Sequence, residues 1–265
     1  MYMAFPAYIG WLLVAALIIS SIGFYKYVYF ISLGYGFSIA GIGVLMLILF
    51  RDTLSVGTVL ACILFFIYGC RLGGYLLIRE WKSAAYRSTM KTEIKDGSTM
   101  KFGVKCAIWI TCAALYILEV LPVFYCLHNG KGTDAFCIIG VCVMLFGIVF
   151  ESAADMQKSK AKKVNSKRFC DTGLYKIVRC PNYLGEVIFW TGVFVGSLGT
   201  TTGAQRVLPV LAWVMIVLIM CNSAQRLEKR QMKRYGAERA YQRYADSTPI
   251  LFPFVPLYHL NKQEK

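Results

Sequence analysis

Charge is what this chain lacks. Only 16% of its 265 residues are Asp, Glu, Lys or Arg, whereas 57% are hydrophobic, and soluble domains carry about 25% charged residues. A water-soluble globular fold is therefore excluded. Histidine is scarcer still: His128 and His259 are the only two, too few for a histidine-based metal centre or catalytic dyad. The ten cysteines contain no metal-type CxxC pair. Most fall in or beside apolar runs and read as small buried hydrophobes, not as disulfides. No metal is expected, and no internal repeat, low-complexity tract or long linker breaks the chain.

Long apolar runs are what the chain has. Mean hydropathy is +0.55, and runs of roughly 20 residues, the length that crosses a bilayer, lie near 6–24, 33–50, 56–78, 103–127, 134–151, 183–200 and 206–224. The expectation is an all-α integral membrane protein, multi-pass, with a bundle of seven transmembrane helices. The first run lacks a basic leader and a small-residue cleavage site, so it reads as a retained span. Lys and Arg fix the orientation, because they stay on the cytoplasmic side of short loops. Segments 25–32, 79–102, 152–182 and 225–265 hold 24 of the 29 basic residues, whereas the alternate loops hold Arg51, Lys131 and Arg206. The N-terminus is thus expected outside and the C-terminus in the cytoplasm. The net charge of +15 gathers on that inner face, where it suits anionic headgroups or a polyanionic soluble ligand. No nucleic-acid module accompanies it.

Polar residues inside the apolar runs carry the functional signal. An ionised side chain near the bilayer centre is costly and normally faces a bundle interior or a wet cavity. In "FFIYGCRLGGYLLIRE" (65–80), Tyr68, Arg71 and Tyr75 fall on one narrow helical stripe. Gly69, Gly73 and Gly74 beside it permit close approach of a helix or ligand. Arg71 either belongs to a site or snorkels towards the cytoplasmic surface. Glu119, near Pro122, reads as structural or interfacial.

The loop after the fifth run is denser in chemistry. Glu151 and Asp155 stand one turn apart and precede Lys158, Lys160, Lys162 and Lys163. Carboxylates accept from ribose or amide groups and lysines neutralise phosphate, although a solvated charged helix accounts for the pattern equally well. Next come Gly173 for a tight turn, Arg179 with its bidentate fork, and Pro181 to start a helix whose first turns carry Asn182, Tyr183 and Glu186. The last segment leaves the seventh run as a basic helix. Lys229 and Lys233 suit the inner leaflet, while Glu228, Tyr235, Tyr241 and Tyr244 are better suited to line a nucleotide pocket.

These residues together resemble the membrane family of steroid 5-alpha-reductases and sterol reductases, in particular its bacterial-type branch of functionally unassigned members. The likeness covers residues 56–256. It rests on Asp155, "TGLY" at 172–175, "RCPNYLGE" at 179–186, "RYG" at 234–236, "YQRY" at 241–244, "ILFPF" at 250–254 and "YGCR" at 68–71. The resemblance implies a seven-helix bundle open to lipid and NADPH bound from the cytoplasm. Residues 1–55 would form the substrate side and residues 56–265 the cofactor-binding reductase core. It assigns nucleotide contacts to Arg71, Asp155, Lys162, Arg179, Asn182, Glu186 and Tyr235, and the residue pattern adds Lys158, Tyr183, Glu228, Tyr241 and Tyr244 as cofactor-binding candidates. Tyr68 becomes the catalytic group, hydrogen-bonding the substrate carbonyl while hydride reaches the β-carbon of an activated C=C bond. The expected substrate is a lipid-soluble enone, such as a 3-oxo-Δ4 steroid, met by a monomer in contact with membrane lipid. Whether the membrane is a bacterial inner membrane or the endoplasmic reticulum is left open. Two positions depart from the family: Cys180 replaces its histidine, and 33–50 lacks its glutamine and glutamate. Tyr35, Asp52 and Glu119 are the polar residues available in place of that pair.

Two other readings compete. An S-adenosylmethionine-dependent membrane methyltransferase of the isoprenylcysteine carboxyl methyltransferase type shares an Arg-x-Pro-x-Tyr turn and a basic tail. That pattern lacks the Asn182 and Glu186 pair and has two adjacent glutamates where "RLEKR" has only Glu228. A membrane scaffold that binds no nucleotide is the second.

Overall fold

The structure, a computed structural model, describes residues 4–82, 100–130 and 132–261. Most of the basic segment expected at 79–102 therefore lies outside the described residues, as does Lys131. Among the described residues the fold is all-helical, with no strand. The helices are α1 (Ala4–Ser20), α2 (Leu33–Leu49), α3 (Val56–Lys82), α4 (Phe102–His128), α5 (Ala135–Val164), α6 (Pro181–Gly196), α7 (Val207–Tyr235) and α8 (Arg239–Ser247).

Six segments are long and apolar enough to cross a membrane: Ala7–Phe24, Tyr27–Leu49, Val56–Lys82, Phe102–His128, Ala135–Val164 and Gly203–Tyr235. The seventh expected span, 183–200, falls on α6, which has only 16 residues and so reaches about 24 Å, short of the ~30 Å hydrocarbon thickness. The helix stops at Gly196, where Ser197 and Thr200 turn the chain: Ser197 O accepts from the amides of Thr200 and Thr201 at 3.1 and 3.0 Å.

The chain forms two compact units. The first comprises residues 1–141 and 193–212. Its most extensively packed pair, α2 and α3, meets through glycine. A Cβ at Gly36 would stand 2.9 Å from both Gly69 O and Gly73 N, and one at Gly43 would stand 2.8 Å from Cys62 O. The backbones thus touch where side chains are missing, the arrangement expected of small residues in lipid-embedded helices. Gly74, the third glycine of that run, faces open space.

Hydrogen bonds gather the loops of this unit at alternate ends. Thr53 donates to Leu127 O at 3.2 Å, the Gly57 amide to Thr133 Oγ1 at 2.9 Å, and Asn129 Nδ2 to Thr200 O at 3.0 Å. The turns after α2, α4 and α6 therefore share one end. Lys26, Tyr29 and Glu80 mark where the α1–α2 turn meets the end of α3. Lys26 Nζ and the Tyr29 hydroxyl both donate to Glu80 Oε1, at 2.5 and 2.7 Å. The bond to Glu80 holds the Lys26 ammonium well above its ordinary pKa, against the opposing effect of burial.

The second unit comprises residues 142–192 and 213–265. In it α5 crosses α6 at two glycines. A Cβ on Gly147 would meet the Phe189 amide nitrogen at 2.6 Å, and one on Gly185 would meet Glu151 Cβ at 2.7 Å. Its core joins Val178, Cys180, Leu184 and Val187 to Met220 and Ala224 of α7 and to Ile250 and Leu251. The segments "RCPNY" and "TPILF" are also stitched by backbone: Arg179 N donates to Pro249 O at 2.8 Å and Cys180 N to Ile250 O at 2.9 Å.

Candidate functional site

The polar residues singled out from sequence divide between the units. In the first, Tyr68 is fully buried on α3. Its hydroxyl lies 3.1 Å from that of Tyr35 on α2, and the Tyr35 ring packs 5.4 Å from that of Tyr116 on α4. Of the three residues available for the missing glutamine and glutamate, Tyr35 is in hydrogen-bond contact with Tyr68. Asp52 sits in the α2–α3 turn, 89% exposed beside Arg51. Glu119 is buried on α4, one turn beyond Tyr116. Arg71, a turn after Tyr68, is half-buried, with Nη1 shielded from solvent.

In the second unit, α5 contributes Glu151, Asp155, Lys158 and Lys162, and the start of α6 contributes Asn182, Tyr183 and Glu186. Glu151, Asp155 and Glu186 are all buried. Close passage of Gly185 against Glu151 brings the two acidic faces together, because any larger residue at 185 would strike Glu151 Cβ and backbone. Lys158 and Asn182 are half-buried at the rim. The loop between α5 and α6 is shaped by Gly173 at φ +61°, a backbone conformation other residues rarely adopt. Gln157 accepts there from Leu174 N at 2.9 Å.

Arg179 and Glu228 form the centre of this unit. Both side chains are 1% exposed, with Arg179 Nη2 2.9 Å from Glu228 Oε1. Arg179 Nη2 also donates to the carbonyl of Tyr258. Glu228 accepts from Leu260 N at 2.9 Å, Asn261 N at 3.1 Å and Asn261 Nδ2 at 2.7 Å. His259 bridges Glu228 at 3.1 Å and Asp246 at 2.9 Å. The segment 258–261 is therefore strapped over the ion pair. Such a pair survives burial only because these donors and acceptors satisfy its remaining valences. Part of the guanidinium is left over: Arg179 Nε and Nη1 are buried and make no hydrogen bond among the described residues, and neither does Asn182 Oδ1.

The tyrosines and Lys162 are engaged by contacts within the fold. Tyr235, Tyr241 and Ala245 form a small core with Phe169, and Tyr244 packs against it. Phe169 stacks on Tyr244 at 5.4 Å and meets Tyr241 edge-on at 5.2 Å. Burial raises the Tyr241 and Tyr244 hydroxyls above their ordinary pKa, with nearby Arg179 opposing. Lys162 Nζ donates to Tyr235 Oη at 2.7 Å, Arg168 O at 2.5 Å and Ser166 O at 3.3 Å, which accounts for all three of its N–H groups. Cys180 is buried in the core, its thiol pushed up to about 12 by that burial. Sequence reasoning missed Phe169, the strap at 258–261 and the Lys26–Glu80 pair. "KRF" before "CDTG" gave a weak signal for Phe169; the other two carried none.

Among the described residues no cluster of His, Cys, Asp and Glu could hold a metal ion. Comparison with curated proteins finds no match, and comparison with solved structures finds none. A protein family described as "Protein of unknown function (DUF1295)" matches residues 18–248, most of the chain. Its span takes in both units and every candidate residue from Tyr68 to Tyr244, and the chain belongs to this DUF1295 family.

Proposed function

We propose that this protein is a membrane reductase that uses NADPH to reduce an activated C=C bond of a lipid-soluble substrate, as its resemblance to the steroid 5-alpha-reductases implies. On this reading α6 also crosses the membrane, for seven crossings, with the N-terminus outside and the C-terminus in the cytoplasm. The observation that carries the reading is the complementary pair of unused valences on one turn. Among the described residues, Arg179 offers two buried nitrogen donors, Nε and Nη1, without an acceptor and Asn182 a buried carbonyl oxygen without a donor. A buried polar group left unpaired is costly. Phosphate oxygens satisfy the first and a carboxamide N–H the second, and a nicotinamide nucleotide carries both.

The residues fit such a ligand in part. Arg179, Asn182, Asp155, Lys158, Tyr183 and Glu186 would hold it, with carboxylates to ribose or amide and Lys158 to phosphate. Lys162, Glu228, Tyr235, Tyr241 and Tyr244 would act behind them, since their hydrogen bonds and rings are engaged in the fold. Bound NADPH would supply the hydride. Tyr68 would donate to the substrate oxygen, which gains negative charge as the β-carbon is reduced. Arg71 follows it by one turn and is assigned to the cofactor by the resemblance alone.

One observation favours the methyltransferase instead. Glu151, Asp155 and Glu186 are buried, while Lys160, Lys163 and Lys167 are exposed. A site rich in carboxylate suits a sulfonium and a ribose without phosphates. Thermal-shift titration of the purified protein with NADPH, NADH and S-adenosylmethionine separates the readings, because a ligand that binds only the folded state raises apparent stability. Stabilisation by NADPH alone is expected, together with loss of turnover but not of NADPH binding in Tyr68→Phe. Stabilisation by S-adenosylmethionine alone would overturn the reductase reading.

A further inference from the structure

The segment after α8 makes a tight hairpin. Ile250 N donates to Leu257 O at 2.9 Å, Val255 N to Phe252 O at 3.2 Å, and Leu257 N to Val255 O at 2.7 Å. Pro253 and Pro256 stiffen its tip. Its base is fixed twice, by the backbone bonds to Arg179 and Cys180 and by Ile250 and Leu251, buried against Leu184, Val187, Met220 and Ala224. The tip is the reverse: Phe254 is 97% exposed and Val255 47% exposed. A rigid hairpin thus holds a bare aromatic ring away from the protein.

Where that ring lies follows from α7. The hairpin base packs on Met220 and Ala224, the last apolar turn of that helix, and Arg226, Lys229 and Arg230 come next, all exposed. The base therefore sits within about one turn, ~5 Å, of the point where α7 passes from apolar to basic. Such a change in a crossing helix marks the boundary between acyl chains and headgroups, where aromatic rings and cations concentrate. We propose that the Pro249–Leu257 hairpin is an interfacial anchor: Phe254 and Val255 insert into the acyl–headgroup boundary of the leaflet on the basic side, and the neighbouring cations face lipid phosphate.

A protein partner is a poorer occupant. One phenyl ring offers about 200 Å², against the ~800 Å² that each side of a stable protein interface buries. A bilayer needs no such area, because the ring adds to a membrane contact that six long apolar helices already make. The anchor also has a reach beyond itself. Its base is hydrogen-bonded to the backbone of Arg179, so it holds the turn that carries the buried guanidinium at headgroup level. The inference rests on the membrane-spanning character of the helices and not on the reductase reading, and it stands whichever nucleotide binds.

The test places the photo-crosslinking residue 4-benzoylphenylalanine at position 254, with a control at the exposed Ala237, in full-length protein. The protein is reconstituted in nanodiscs of equal parts phosphatidylcholine and phosphatidylglycerol. Irradiation is expected to give protein–lipid adducts by mass spectrometry at 254 and not at 237. A second readout is Phe254→Trp, with the native emission subtracted. A ring about 5–10 Å below the surface lies beside bromines on the upper acyl chain, so brominated lipid should quench the added emission about twofold or more. Adducts to a second protein molecule at 254, or equal labelling at the two positions with no added quenching, would overturn the anchor.

Discussion

Replacing Glu228 by glutamine removes one charge from a buried pair and leaves its shape. The magnitude follows from what surrounds it. Both side chains are 1% exposed, so solvent does not screen the loss. Among the described residues Glu228 is the carboxylate in hydrogen-bond contact with Arg179, and a guanidinium cannot shed its proton to escape. Deleting one partner of such a pair costs about 3–5 kcal/mol, because the survivor keeps its desolvation penalty. A chain of this size loses about 2–4 °C of midpoint per kcal/mol, so an apparent melting temperature lower by roughly 6–20 °C is expected. Tryptophan fluorescence in detergent reads the midpoint, and carboxypeptidase digestion reads release of the 258–261 strap. The double change Arg179→Met with Glu228→Leu should recover most of the loss, since apolar residues of similar volume replace buried ion pairs at little cost. A Glu228→Gln protein that melts within about 2 °C of the parent, a shift fit for a solvent-exposed pair, with its strap still protected, would refute the reasoning.

Glycine substitutions on α3 should separate by position. At Gly69 a Cβ would press on the Gly36 carbonyl and stand 2.7 Å from Ala40 N, so Gly69→Ala is expected to cost about 1–3 kcal/mol. Gly74→Ala meets nothing within 4 Å and should be neutral or slightly stabilising in a thermal melt. Maleimide labelling tests the burial of Cys180. Its pKa is raised from 9.0 to about 12, so the unfolded thiol ionises first, and this group's contribution to stability is present below about pH 9 and is lost as pH rises towards 12. Native protein at pH 8 should label at the partly exposed Cys170 and at Cys180 only after unfolding; equal native rates would place Cys180 at the surface.

Much of the helical framework was legible because lipid-embedded helices write their length and polarity directly into hydropathy. Gly69 and Gly73 announced a close approach, and Gly36 supplies it. Gly173 announced a tight turn and adopts positive φ. The end of α6 was harder to read, because an apolar run does not reveal where Ser197 and Thr200 turn the backbone before the run ends. Partner identity was harder still. Arg179 and Glu228 lie 49 positions apart, and periodicity reports which face a residue occupies but not what stands opposite. The strap at 258–261 gives its bonds largely through backbone groups, which every sequence possesses. Tyr235, Tyr241 and Tyr244 were visible as a cluster of rings, yet a ring that lines a pocket and a ring that fills a core have the same spacing. The deciding residue, Phe169, lies more than sixty positions away from them.

The hydrogen bonds sort the motif residues into two kinds. "RCPNY" and "TPILF" appear together because two backbone bonds join them, and Lys162, Glu228 and the three tyrosines have bonds or ring contacts that the fold consumes. Any sequence keeping this unit folded has reason to carry them, whatever the protein binds. The Nε and Nη1 of Arg179 and the Oδ1 of Asn182 are different, since folding alone gains nothing from burying polar atoms that no described residue satisfies. A hydrophobic residue at 182 or a shorter one at 179 would avoid that cost. Their presence three positions apart, on the turn that the hairpin holds in place, is therefore the part of the motif that stability does not explain. A ligand that brings an anionic acceptor and an amide donor to that turn does explain it.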